Sequence, residues 1–118
     1  MEKDSIISDK SYKFAIRIVN AYTFLSKKKQ EYVLSKQLLR SGTAIGALVS
    51  EGRFAQSKAD FINEMYVTLK EANETKYWIN LLHDTKFITK SMYDSLFVDI
   101  EEIICILASI VKTSKRNS

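Results

Sequence analysis

Catalysis on a helical scaffold needs reactive side chains at set spacings, and this chain offers few candidates. A di-metal carboxylate centre takes Glu-x-x-His from two helices and an inward glutamate from each of two others. The sequence has one histidine, His83, and Asn80 stands three residues before it. Glu71, Glu74, Glu101 and Glu102 have spacings that suit outward helix faces. Cys105, the only cysteine, lies between Ile104 and Ile106. A nucleophilic thiol needs an activating base and access, and nothing nearby supplies either, so a buried structural thiol is expected. Serines and threonines are plentiful but show no nucleophile elbow. Gly42 and Gly46 are four apart with no strand before them, which is the wrong pattern for a phosphate-cradling loop. These residues predict a protein that is not an enzyme, with no catalytic, cofactor-binding or metal-binding residues.

The remaining chemistry is electrostatic. The chain carries +4 overall, with a sequence pI near 9.1. Residues 1–58 hold 11 Lys/Arg against 5 Asp/Glu, net +6, and residues 59–118 hold 7 against 9, net −2. A basic half suggests an anionic partner, and an acidic half argues against a surface that coats nucleic acid uniformly. The candidate phosphate contacts are Lys13, Arg17, Lys27, Lys28, Lys29, Lys36, Arg40, Arg53 and Lys58. Contacts of this kind are salt-sensitive and carry little sequence information. For Lys27–Lys29 the plainer reading is a solvated helix end, where cations complement the helix dipole.

The elements that must hold these residues are helices. No proline and three glycines in 118 residues leave few breakers. A 46% hydrophobic and 27% charged composition is ordinary for a soluble globular domain. The first eight or nine residues read as a poorly ordered lead-in. Helix one is expected from Ser8 or Asp9, along the stripe Ala15, Ile18, Val19, Tyr22 and Leu25, to Lys27–Lys29. Helix two is expected from Glu31 to Glu51, with Gly52 as a left-handed C′ residue. Gly42 and Gly46 share one face of it and would let another backbone approach, within the subunit or across an interface. Ser57-x-x-Asp60 reads as a capping box for helix three, Lys58 to His83, with an inner face of Phe61, Met65, Leu69, Ala72, Ile79 and Leu82. Lys70 and Glu74 are spaced to pair on its surface. Tyr77 and Trp78 point in different directions, one of them toward the core edge or a subunit contact. Thr89 or Ser91 caps helix four, whose dense apolar stripe runs from Tyr93 to Val111, and residues 113–118 read as a frayed tail. The expectation is one all-α domain over 1–118, an antiparallel up-down four-helix bundle. The single cysteine, the charged start and the lack of a spanning apolar stretch suggest a cytoplasmic protein with no membrane partner.

The stretch Gln37–Phe61 also carries a resemblance. Gln37, Leu38, Arg40, Ser41, Ile45, Glu51, Gly52, Ser57, Asp60 and Phe61 match a pattern of approximately Q-L-x-R-S-x-x-S-I-x-x-N-I-x-E-G, a short gap, and S-x-x-D-F. Ala44 and Leu48 depart from it, replacing the usual serine and asparagine. The segment from Leu69 to Trp78 is similar to one branch of the same family. The pattern resembles the four-helix-bundle proteins encoded by intervening sequences in bacterial 23S ribosomal RNA genes, a family that includes the accessory variability determinant of diversity-generating retroelements. The resemblance covers roughly Lys10 to Lys115. It implies a homopentameric ring that binds RNA or DNA, with a reverse transcriptase as a further partner. Arg40 and Glu51 are equally suited to pairing within or between subunits. The alternative is a scaffold without a nucleic-acid ligand, in which Gly42, Gly46, Tyr77 and Trp78 form the oligomer interface.

Overall fold

The computed structural model describes residues 2–117, with side chains described from residue 6 onward. Four helices account for nearly all of it: α1 (Glu2–Lys27), α2 (Leu34–Gly52), α3 (Lys58–Asp84) and α4 (Lys90–Arg116). A 27-residue helix is about 40 Å long at 1.5 Å per residue, and the molecule measures 47 × 21 × 19 Å. The bundle is therefore one helix long and two helices wide. Short connections force each helix to run back along the one before it, and α1 also meets α4, so the four go round in chain order.

One apolar face per helix builds the core. Ile7, Phe14, Ile18 and Leu25 come from α1, and Leu38, Ile45 and Val49 from α2. Met65, Ala72, Ile79 and Leu82 come from α3, and Leu96, Ile100, Ile103 and Leu107 from α4. Burying a side chain of this size stabilises the fold by about 1.5–3 kcal/mol. Ile7 extends the apolar spacing of α1 by two turns beyond Phe14, so the helix starts at Glu2 and the expected lead-in is helical. Likewise α4 runs to Arg116 through the expected frayed tail. Met1 and Ser118 lie outside the described residues.

Three expected faces are corrected. On α1 the buried line passes through Phe14 and Ala21, so Val19 points outward, 45% exposed. On α3, Thr68 and Thr75 are fully buried, while Phe61 and Leu69 only border the core. Each threonine hydroxyl satisfies itself on the carbonyl one turn back, Thr68 on Glu64 and Thr75 on Glu71. Cys105 is exposed on α4, not a buried thiol.

The helix ends show how the sequence stops and restarts the chain. Glu31 does not open α2; it caps it. Its carboxylate accepts from the backbone N–H groups of Val33, Leu34 and Ser35 at 3.1, 2.9 and 2.7 Å. Gly52 is helical, not left-handed, and no glycine has positive φ among the described residues. Its lack of a side chain makes room for Met65, whose Cε would lie 2.6 Å from a Cβ there. Ser57 caps α3 as expected, accepting from the Asp60 N–H, but Asp60 reaches back to Gln56. Thr89, not Ser91, caps α4 by accepting from the Met92 N–H. The α3 end turns through Lys86 at φ 70, and the Phe87 N–H reaches the Leu82 carbonyl, as in a Schellman motif.

Candidate functional site

The candidate cations divide by their place along the bundle. Around its waist the two arginines are spent on carboxylates of neighbouring helices. Arg17 on α1 pairs with Asp99 and donates to Ser95 Oγ on α4, 2.7 Å away. Lys10 reaches Glu102 at 2.6 Å along the same seam. These contacts close the α1–α4 edge over two shallow grooves of about 250 and 260 Å³. Lys13 bonds Asp9 one turn back, at 3.1 Å, and is otherwise in water.

Arg40 is likewise spent, but not on Glu51. It lies between Glu71 and Glu74 of α3, donating to both. Glu74 also accepts from the Trp78 indole N–H at 2.9 Å. That indole, together with Arg40, outweighs partial burial and holds the Glu74 carboxyl below its usual range. The expected Lys70–Glu74 pair does not form, because Glu74 turns toward α2. Beside Arg40, the hydroxyls of Ser41 and Thr75 lie 2.9 Å apart in the core. The adjacent Arg40 and Ser41 thus join α2 to α3 through two polar contacts, one half-exposed and one buried.

The two ends of the bundle differ from the waist and from each other. Where α2 passes into α3, Arg53 donates to Ser8 Oγ and Lys58 to the carbonyl of Asn117. Glu51, Asp60 and Glu64 lie near the same end in sequence. At the other end, where α1 passes into α2, stand Lys27, Lys28, Lys29 and Lys36, and the α3–α4 corner adds Lys86. None of these five forms an ion pair among the described residues. Of the nearby carboxylates, Asp84 is exposed and among the described residues contacts only His83, at 3.6 Å, and two others are engaged elsewhere. Glu31 is turned onto the backbone of α2, and Asp94 pairs with Lys90 at 2.7 Å. Burial pushes the Glu31 carboxyl up, but the N–H groups of Leu34, Ser35 and Val33 outweigh that and hold it below its ordinary 4.5. The sequence reading missed Lys86, since it comes from the acidic half and reaches this end only through the up-down topology.

Gly42 and Gly46, expected at an oligomer interface, face α1 of the same chain. A Cβ on Gly42 would meet Ile18 Cγ1 at 2.8 Å, and one on Gly46 would meet the Ser11 carbonyl at 3.3 Å. The close approach is therefore intramolecular. Tyr77 is exposed and packs edge-to-face on the half-buried Trp78, with ring centroids 5.0 Å apart. His83 stacks on Tyr93 at 4.2 Å, and the Tyr93 hydroxyl donates to Asn80, which fastens α4 to α3. Among the described residues no three His, Cys, Asp or Glu side chains are grouped to hold a metal ion. No described helix is long and apolar enough to cross a membrane.

These features define a small all-helical bundle with polar clamps between neighbouring helices and a lysine-rich end. The chain belongs to the family of 23S rRNA-intervening sequence proteins, whose pattern matches residues 3–109. It is also similar to a crystal structure from Bacteroides thetaiotaomicron VPI-5482, described as a protein with unknown function from the S23 ribosomal protein family. The two are 54% identical and superpose with a TM-score of 0.92, covering 93% of this chain and 98% of the other. No curated protein matches the chain.

Proposed function

We propose that this protein is a non-enzymatic, cytoplasmic homo-oligomer that binds nucleic acid through the lysines at the α1–α2 end of the bundle. The observation that carries this reading is the segregation of charge. At the waist Arg17 and Arg40 are paired across helices, whereas Lys27, Lys28, Lys29, Lys36 and Lys86 are exposed and have no carboxylate partner among the described residues. Unpaired lysines release counterions when they meet phosphates, which gives affinity without sequence preference. In a pentameric ring, as the family resemblance implies, five such ends would share one field, with a total formal charge of about +20. A link to a reverse transcriptase or to an rRNA intervening sequence would supply the nucleic acid.

A second reading is a scaffold that assembles and binds protein only. It is favoured by Tyr12, Ile16 and Val19, an exposed apolar stripe on the outward side of α1. The two readings separate in a binding titration with generic RNA and duplex DNA at low and high salt, preceded by light scattering. Binding at low salt that weakens steeply with added salt supports the first reading. A ring that ignores nucleic acid at low salt leaves the scaffold. A monomer contradicts the oligomer in both.

A further inference from the structure

The lysine-rich end contains an aromatic side chain that lies outside the hydrophobic core. Tyr32 lies in the corner between α1 and α2 and is 54% exposed, next to Val33 at 70%. Among the described residues its ring and hydroxyl make no ring contact or hydrogen bond. Lys27, Lys28 and Lys29 precede it, and Lys36 follows one helical turn later on α2. The corner has one carboxylate, and it does not oppose an anion. Both Glu31 oxygens are directed at the backbone N–H groups of Val33, Leu34 and Ser35. The outward side of the corner is thus cationic, with one free π face in it.

We infer that this corner is a single-strand site: Tyr32 stacks an unpaired base while Lys27, Lys28, Lys29 and Lys36 hold the flanking phosphates. The inference rests on the nucleic-acid reading above and specifies its ligand. Lysines alone would favour a duplex, whose phosphates are denser. An aromatic platform beside them adds affinity only for bases outside a helix, and it does so for any base, because every base has a π face. The opposite end supplies an internal control. Phe54 is more exposed, at 83%, but its neighbours Arg53 and Lys58 are engaged with Ser8 and Asn117.

The test compares an oligouridine with an RNA duplex of equal length, at one salt concentration, for the full chain and four variants. Tyr32→Ser is expected to weaken the single strand by about 5- to 150-fold, the range that one base–aromatic stack supplies, and to leave the duplex unchanged. Tyr32→Trp should retain single-strand binding, and Phe54→Ser should match the wild type. Lys28→Gln with Lys29→Gln should weaken both ligands. Thermal unfolding of Tyr32→Ser within a degree or two of the wild type confirms an intact bundle. A Tyr32→Ser protein that binds oligouridine as the wild type does overturns the single-strand site and leaves the nucleic-acid reading standing. A wild type that binds neither ligand overturns both.

Discussion

Replacing Glu31 tests how the first corner is held. This carboxylate, 9% exposed, satisfies three of the orphan N–H groups that every helix N-terminus presents. Glu31→Gln keeps the shape but sets an amide donor against backbone donors. A hydrogen bond to a charged group contributes about 1.5–3 kcal/mol, and a helix cap about 0.5–2 kcal/mol. The three donors share one carboxylate, and water reaches the exposed Val33, so these contributions do not add. The expected loss is about 2–3 kcal/mol, or roughly 8–12 °C in Tm for a domain of this size. The folded pKa of Glu31 lies below its ordinary 4.5. The stabilisation is therefore fully present above about pH 4.5 and is lost as pH falls through the folded value. Urea unfolding at fixed protein concentration, at pH 7 and at pH 3, gives both numbers. The gap between wild type and Glu31→Gln should be widest at pH 7 and shrink in acid. A gap below about 0.5 kcal/mol at pH 7, or one that grows in acid, refutes the cap.

Two further predictions concern packing and the α2–α3 clamp. Gly42→Ala sets a methyl against the buried Ile18, and overpacking of about 1–3 kcal/mol exceeds the helix-propensity gain of about 1 kcal/mol. Urea unfolding should show a net loss of up to about 2 kcal/mol, whereas Gly52→Ala should be neutral or stabilising because the Met65 methyl can swing away. Glu74→Ala removes the partner of Trp78, the only tryptophan, so its emission should shift to longer wavelength. Stability should change by less than about 1 kcal/mol, as for an exposed ion pair.

Helical spacing made the four elements legible, and Ser57 with Asp60 marked the start of α3 correctly. What stayed hidden was mostly relational. Arg17 read as a free cation, and Arg40 as either a phosphate contact or a partner of Glu51, because their actual partners lie 82 and 34 residues away on other helices. The glycine pair signalled close approach, but not that the approaching helix was α1. Thr68 and Thr75 look polar in a sequence, yet a hydroxyl bonded to the carbonyl one turn back can sit in a core. Cys105 was legible and misjudged. Two residues from both Ile103 and Leu107, it lies about 200° around the helix from each, hence on the outward side. Glu31 was read as helix because its apolar neighbours continue the spacing, while the reach of its side chain to three N–H groups leaves no periodic trace.

Whether the unpaired lysines hold the nucleic acid is decided by the salt dependence of RNA binding in two charge-neutralised proteins of equal net charge. One carries Lys27→Gln and Lys28→Gln at the lysine-rich end, and the other carries Arg17→Gln and Lys13→Gln at the waist. Neutralising one phosphate-binding lysine should flatten the plot of log affinity against log salt by about 0.7–0.9. The end variant should therefore flatten it by roughly 1.4–1.8 per bound subunit, and the waist variant should keep a slope near the wild-type value. Equal slopes for the two, or a flatter one for the waist variant, would contradict the role given to the lysine-rich end.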